Sequence, residues 1–161
     1  MDYVKLIRRF YKGKISPDFV LSIAPPASSD DIEAMRKEMP RVIPNELFDL
    51  YAACDGCSLD AGDQKYWFFV PLKQLAGLTK TTEQWYLKTH PQLEGRFHPF
   101  IDWGNGDSMG YFLSESSELL PGLHCFEHEN LEYDSEQDCD EFISRWNSDI
   151  RGLLTKGAGN D

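Results

Sequence analysis

Between Arg96 and Arg145 the chain contains no lysine and no arginine. Every charged side chain in that stretch is an acid: Asp102, Asp107, Glu115, Glu118, Glu127, Glu129, Glu132, Asp134, Glu136, Asp138, Asp140 and Glu141. A surface of this kind repels phosphate backbones, which argues against general nucleic-acid binding, and it serves either to attract a basic protein or simply to keep the chain soluble. Long apolar runs are also missing, and nothing approaches the roughly 20 residues a membrane helix needs. The basic start lacks the apolar core and small-residue cleavage site of a signal peptide, so the expected compartment is the cytoplasm. Cysteine is sparse, with 4 in 161 residues, and without an export signal these are expected as free thiols. There is no G-x-S-x-G elbow, no glycine-rich phosphate loop followed by Lys, no second C-x-x-C, no internal repeat and no low-complexity tract.

What is present suits a folded chain. Apolar residues make up 41% and aromatics 13%, while the net charge is −11. The charge is uneven. Lys5, Arg8, Arg9, Lys12 and Lys14 face a single acid, Asp2, at the start. Tyr3, Leu6, Ile7, Phe10 and Tyr11 have helical spacing there, predicting an amphipathic helix over 2–13. Its apolar stripe is expected to pack on its own domain rather than lie on a membrane. Ser28 or Ser29 offers an N-cap to a second helix ending at Pro40, and Pro44 opens a third that stops at Asp55-Gly56.

Strand signals follow at Tyr66–Val70, Phe97–Trp103, Met109–Leu113 and Leu123–His128, with a short fifth at Leu131–Tyr133. Between the first two, short helical pieces are expected around Leu72–Leu78 and Trp85–Leu87. A closing helix is expected to carry Cys139, Phe142, Ile143, Trp146 and Ile150 on one face. Helices, then consecutive strands, then a helix predict an α+β fold. It would have a mainly antiparallel sheet of about four to six strands, with helices packed largely on one face. Residues 1–155 form one expected domain, and 156–161 a disordered tail.

Cys54-Asp55-Gly56-Cys57 could bind zinc or cycle through a disulfide, and a Cys54/Cys57/His124/His128 set is conceivable. The pair, however, follows a helix, where the dipole raises a thiol pKa, so ordinary cysteines are the expectation. No metal, cofactor or catalytic residue is assigned. Asp102-Trp103-Gly104-Asn105-Gly106-Asp107 is read as a tight strand connection rather than a cation loop.

The order of these pieces resembles the SUKH superfamily, whose eukaryotic members include yeast cell-wall assembly regulators. The matching segments run from about Ser28 to Ile150. They include Ser29-Asp30-Asp31-Ile32-Glu33, the stretch Ile43-Pro44-Asn45-Glu46-Leu47-Phe48-Asp49-Leu50-Tyr51, and Phe69-Val70-Pro71-Leu72-Lys73-Gln74-Leu75. They continue with the Phe100–Asp107 turn, Tyr111-Phe112-Leu113, Leu123–Glu129 and Phe142-Ile143. Two features depart from the pattern: Cys57 stands where the family usually has a second Gly, and the basic helix lies outside the match.

The resemblance implies a toxin-neutralising immunity protein: a non-enzymatic, cytoplasmic bacterial protein binding a cognate toxin, with a basic nuclease domain as one such partner. It carries over neither catalytic residues nor a binding surface. Charge therefore selects the candidate contacts, Glu127, Glu129, Glu132, Asp134, Glu136 and Asp138, with Tyr133 as an aromatic anchor. The alternatives are a regulatory or scaffolding module of the cell-wall-regulator type and an enzyme using Cys54 and Cys57.

Overall fold

A computed structural model describes residues 1–156. Seven strands form one sheet in sequential order, β1 to β7, and every neighbouring pair is antiparallel. They are β1 (Val20–Ile23), β2 (Cys57–Ala61), β3 (Gln64–Phe69), β4 (Phe97–Asp102), β5 (Ser108–Phe112), β6 (Leu123–Phe126) and β7 (Ile143–Asn147). The helices are α1 (Tyr3–Tyr11), α2 (Ser29–Glu38), α3 (Asn45–Ala53), α4 (Leu75–Tyr86) and α5 (Ile150–Lys156). The α+β class and the antiparallel sheet are as expected from sequence.

Alternation along the strands separates two cores, because successive side chains point to opposite faces. Met109 and Tyr111 of β5 and Leu123 and Cys125 of β6 face the larger core. There they meet Tyr3 and Ile7 of α1, Leu47 and Leu50 of α3, and Ile150, Leu153 and Leu154 of α5. Phe112 and Phe126 face the other way, onto Tyr86 of α4 and onto Leu131, Phe142 and Ile143. Thr82 of α4 and Ser108 of β5 share a buried hydrogen bond of 3.0 Å on this second side. The second face is therefore covered too, by α4 and the 127–142 segment.

Several expectations need correction. The sheet has seven strands rather than four to six, because β1, β2 and β7 join the four strands that the sequence predicts. Leu131–Tyr133 forms no strand; Leu131 is instead a plug into the second core. The expected closing helix is a short 3₁₀ turn (Cys139–Glu141), then β7, then α5. Phe142 and Ile143 are both buried, and residues 143–147 pair with β6, so tertiary pairing overrides the helical spacing. Lys156 closes α5, and the rest of the expected tail, 157–161, lies outside the described residues.

Glu46 ties the helical layer together. Its Oε1 accepts the Tyr111 hydroxyl at 2.7 Å, its Oε2 the Ile150 amide at 3.2 Å, and its carbonyl the Tyr3 hydroxyl at 3.4 Å. One side chain thus joins α3 to β5 and α5. Burial raises its pKa above the ordinary Glu value, against the lowering pull of the two hydrogen bonds to its carboxylate. A raised carboxyl pKa means the folded state holds its proton longer than the unfolded chain. The contribution to stability is then full below the unfolded value and is lost as pH rises through the folded one. Glu46→Gln should flatten this part of the profile. The check is melting temperature between acid and neutral pH, where the variant should lose less than the native chain.

Candidate partner-binding surface

The candidate residues come together on one segment, between β6 and the Cys139–Glu141 turn. Glu127 is half-buried, and its amide donates to the Phe142 carbonyl at 2.9 Å. Glu129, Glu132, Tyr133, Asp134, Glu136 and Asp138 are exposed. Their segment is fixed from below by Leu131 and Phe142 in the second core.

The loop is held by its own polar groups. Gln137 is the hub: its Nε2 donates to the Asn130 carbonyl at 2.8 Å, and its Oε1 accepts the Glu132 amide at 3.0 Å. Its own amide donates to the Asp134 carbonyl at 3.0 Å. The Gln137 carbonyl accepts from Nε2 of the buried His90 at 2.7 Å, which pins the loop to the end of α4. Asp134 adds an Asx turn, its Oδ1 accepting the Glu136 amide at 3.0 Å. At the base, Asp107 Oδ1 accepts the His128 amide at 3.0 Å and lies 2.6 Å from its Nδ1, joining the β4–β5 turn to the loop.

This scaffold forces Tyr133 into a left-handed conformation. Its φ is +57°, and its side chain is 57% exposed. A bulky residue in that region costs about 1–2 kcal/mol, and the Tyr133 ring packs into neither core. Asn tolerates the same backbone. Tyr133→Asn should therefore raise stability by about 1 kcal/mol while weakening partner binding. Chemical denaturation together with titration calorimetry would show both changes.

No protein-family model and no curated protein matches the sequence. Within the loop there is no Lys or Arg, and among the described residues none of its carboxylates is in an ion pair with either. The acids are thus free to meet cations from outside.

Other candidates fare differently. Cys54 and Cys57 are fully buried in the larger core, and burial pushes their thiols up to about 11 and about 12. Such thiols are protonated at neutral pH and shielded from solvent, so they offer no nucleophile. His124 and His128 contact Phe112 and Trp85 on the opposite side of the sheet. The conceivable four-ligand set is therefore split by the sheet, and among the described residues no three His, Cys, Asp or Glu side chains converge as a metal site. Two ordinary cysteines at a solvent-facing helix end would tolerate Cys54→Ser with Cys57→Ser. Burial changes that expectation: two hydroxyls placed in this core should cost about 1–3 kcal/mol, while Cys→Ala should cost less. Urea denaturation of the two double variants would separate them. The Asp102–Asp107 segment is a hairpin turn, with Asp102 Oδ1 accepting the Gly104 amide at 2.8 Å and Asn105 Oδ1 the Asp107 amide at 3.0 Å.

Sequence reasoning missed Gln137, His90 and Asp107. Their hydrogen bonds give the acidic loop one shape. Asn130-x₆-Gln137 is a local pairing, but His90 and Asp107 reach it from 47 and 21 residues away.

Proposed function

We propose that this chain is a protein-binding domain whose acidic loop captures a basic partner, and that the partner is a cognate toxin. The chain would then act as an immunity protein in the cytoplasm, as the SUKH resemblance implies. The observation that carries the reading is the loop itself. Exposed acids without cations surround an exposed, conformationally strained tyrosine on a hydrogen-bonded frame. Strain held at an exposed position is costly for the fold and useful for recognition, because a preordered anchor loses little entropy on binding. The acids steer the approach, and the aromatic ring supplies contact area that slows release.

The test is neutralisation in cells. The polypeptide encoded beside this gene is expressed alone, with the native chain, or with a chain carrying Tyr133→Ala, Glu129→Lys and Glu132→Lys. Growth arrest by the neighbour, rescue by the native chain and failure of the variant are expected. A harmless neighbour, or full rescue by the variant, would refute the proposal.

A further inference from the structure

A second charged surface lies on the other side of the sheet. Lys5, Arg8, Arg9 and Lys12 of α1 and its C-cap are exposed at i, i+3, i+4 and i+7, which makes a continuous stripe. Arg151 of α5 stands beside it, lining a 530 Å³ groove with Asp2, Lys5, Leu6 and Arg9. None of these cations lies within 4.0 Å of a carboxylate among the described residues, in a chain whose net charge is −11.

Helix stability accounts for only part of the stripe. Arg8 and Arg9 sit in the last turn, where the dipole favours cations. Lys5 sits in the first turn, where the dipole opposes it, and no acid offsets it within that turn. Asp2 is occupied as the N-cap, its Oδ1 accepting the Lys5 amide at 3.0 Å. Solubility does not account for the rest, since added cations bring this chain closer to neutrality.

We propose that the α1 cation stripe, with Arg151, is a docking surface for an anionic lipid membrane. The apolar side of α1 is committed to the fold. Tyr3 and Ile7 are buried, Phe10 stacks on Phe68 at 5.7 Å, and Tyr11 meets the same ring edge-on. Attachment is therefore electrostatic and reversible, with no helix inserted. An extended plane of headgroups supplies phosphates at whatever spacing the stripe presents. A nucleic acid would meet only one nine-residue helix and a strongly acidic remainder.

A second copy would bring another −11, and its acidic loop lies across the sheet from its own stripe. That pairing would propagate into an open chain rather than close. The same separation favours the membrane. The acidic loop lies on the far side of the sheet from the stripe, so at physiological ionic strength, where the Debye length is about 8 Å, its repulsion by the lipid charge is largely screened. Asp49 and Asp149 border the patch beyond Arg151 and mark its limit.

The inference stands independently of what the acidic loop binds. The experiment is co-sedimentation of the full chain with vesicles of phosphatidylglycerol and phosphatidylcholine in equal parts, and with phosphatidylcholine alone. Binding to the first only, reversed by high salt, is expected. Lys5→Gln with Arg9→Gln, and separately Arg8→Gln with Lys12→Gln, should each weaken it, by about fivefold per cation removed. These positions are exposed, so melting temperatures should hold; if one pair melts early, the other carries the test. Glu129→Lys with Glu132→Lys should not reduce vesicle binding. Absence of binding at physiological ionic strength, or equal binding to neutral vesicles, would overturn the proposal. So would salt-sensitive self-association that the α1 variants abolish without any vesicle binding, which would assign the stripe to a second copy.

Discussion

Gly110→Ala should cost more than about 3 kcal/mol and leave much of the chain unfolded. Gly110 lies in β5 at the middle of the sheet, opposite Pro99 of β4 and beside His124 of β6. The β4–β5 register shifts between Pro99 and Ile101, and this irregularity folds the β4 backbone over Gly110. A Cβ there would collide with the His98 carbonyl oxygen and lie 2.5 Å from the Pro99 Cα. Both obstacles are backbone, so no rotamer change relieves them. β4 would have to move, and it carries Phe97 into one core and Phe100 and Ile101 into the other. The control is Gly77→Ala in α4, where a Cβ meets nothing within 4 Å. That change should stabilise by about 0.5–1 kcal/mol through helix propensity and a restricted unfolded chain. Urea denaturation of both variants checks the pair. A Gly110→Ala protein of native stability would show that β4 can shift freely.

The second large effect concerns association. For a basic partner, the on-rate should fall at least about tenfold from low to physiological salt, because steering acts through screened long-range fields. Reversing Glu129, Glu132 and Glu136 to Lys should lower the low-salt rate by about 10–100-fold. Asp134 is left alone deliberately: its carboxylate accepts the Glu136 amide, and its loss would loosen the loop as well as change its charge. The three glutamates are exposed, and their carboxylates make no hydrogen bonds among the described residues. Melting temperature should therefore hold, or rise slightly as like-charge repulsion is relieved. Stopped-flow mixing at two salt concentrations reads both effects. A rate indifferent to salt, or unchanged in the triple variant, would make the loop solubilising surface and place the contact elsewhere. Tyr133→Asn should instead act mainly on dissociation, so the two variant types separate steering from anchoring.

Some of this was legible in the residues alone. The helices at Tyr3–Tyr11, Ser29–Glu38 and Asn45–Ala53 carry local signals: 3.6-residue spacing, the Ser28 cap and the stop at Asp55-Gly56. The four strands from Tyr66 to Phe126 were also foreseen, being aromatic or β-branched and bounded by turn residues. Composition located the acidic segment and the basic helix, because charge is counted without knowing the fold.

What the residues could not convey depends on partners far along the chain. Residues 139–150 have helical spacing, yet pairing with β6 draws Ile143–Asn147 into the sheet, since four backbone partners outweigh a weak local preference. β1 is a four-residue strand that exists only because β2 lies beside it. Tyr133 takes its left-handed φ in a loop that Gln137, His90 and Leu131 hold in place, and no short window of sequence contains all three. Burial of Cys54 and Cys57, which made a reactive-looking motif inert, follows from α3 and β2 facing the same core. The placement of the two charged surfaces on opposite sides of one sheet was likewise a tertiary outcome. Sequence determines how much charge each segment carries. Only the alternation of seven paired strands decides which way each segment faces.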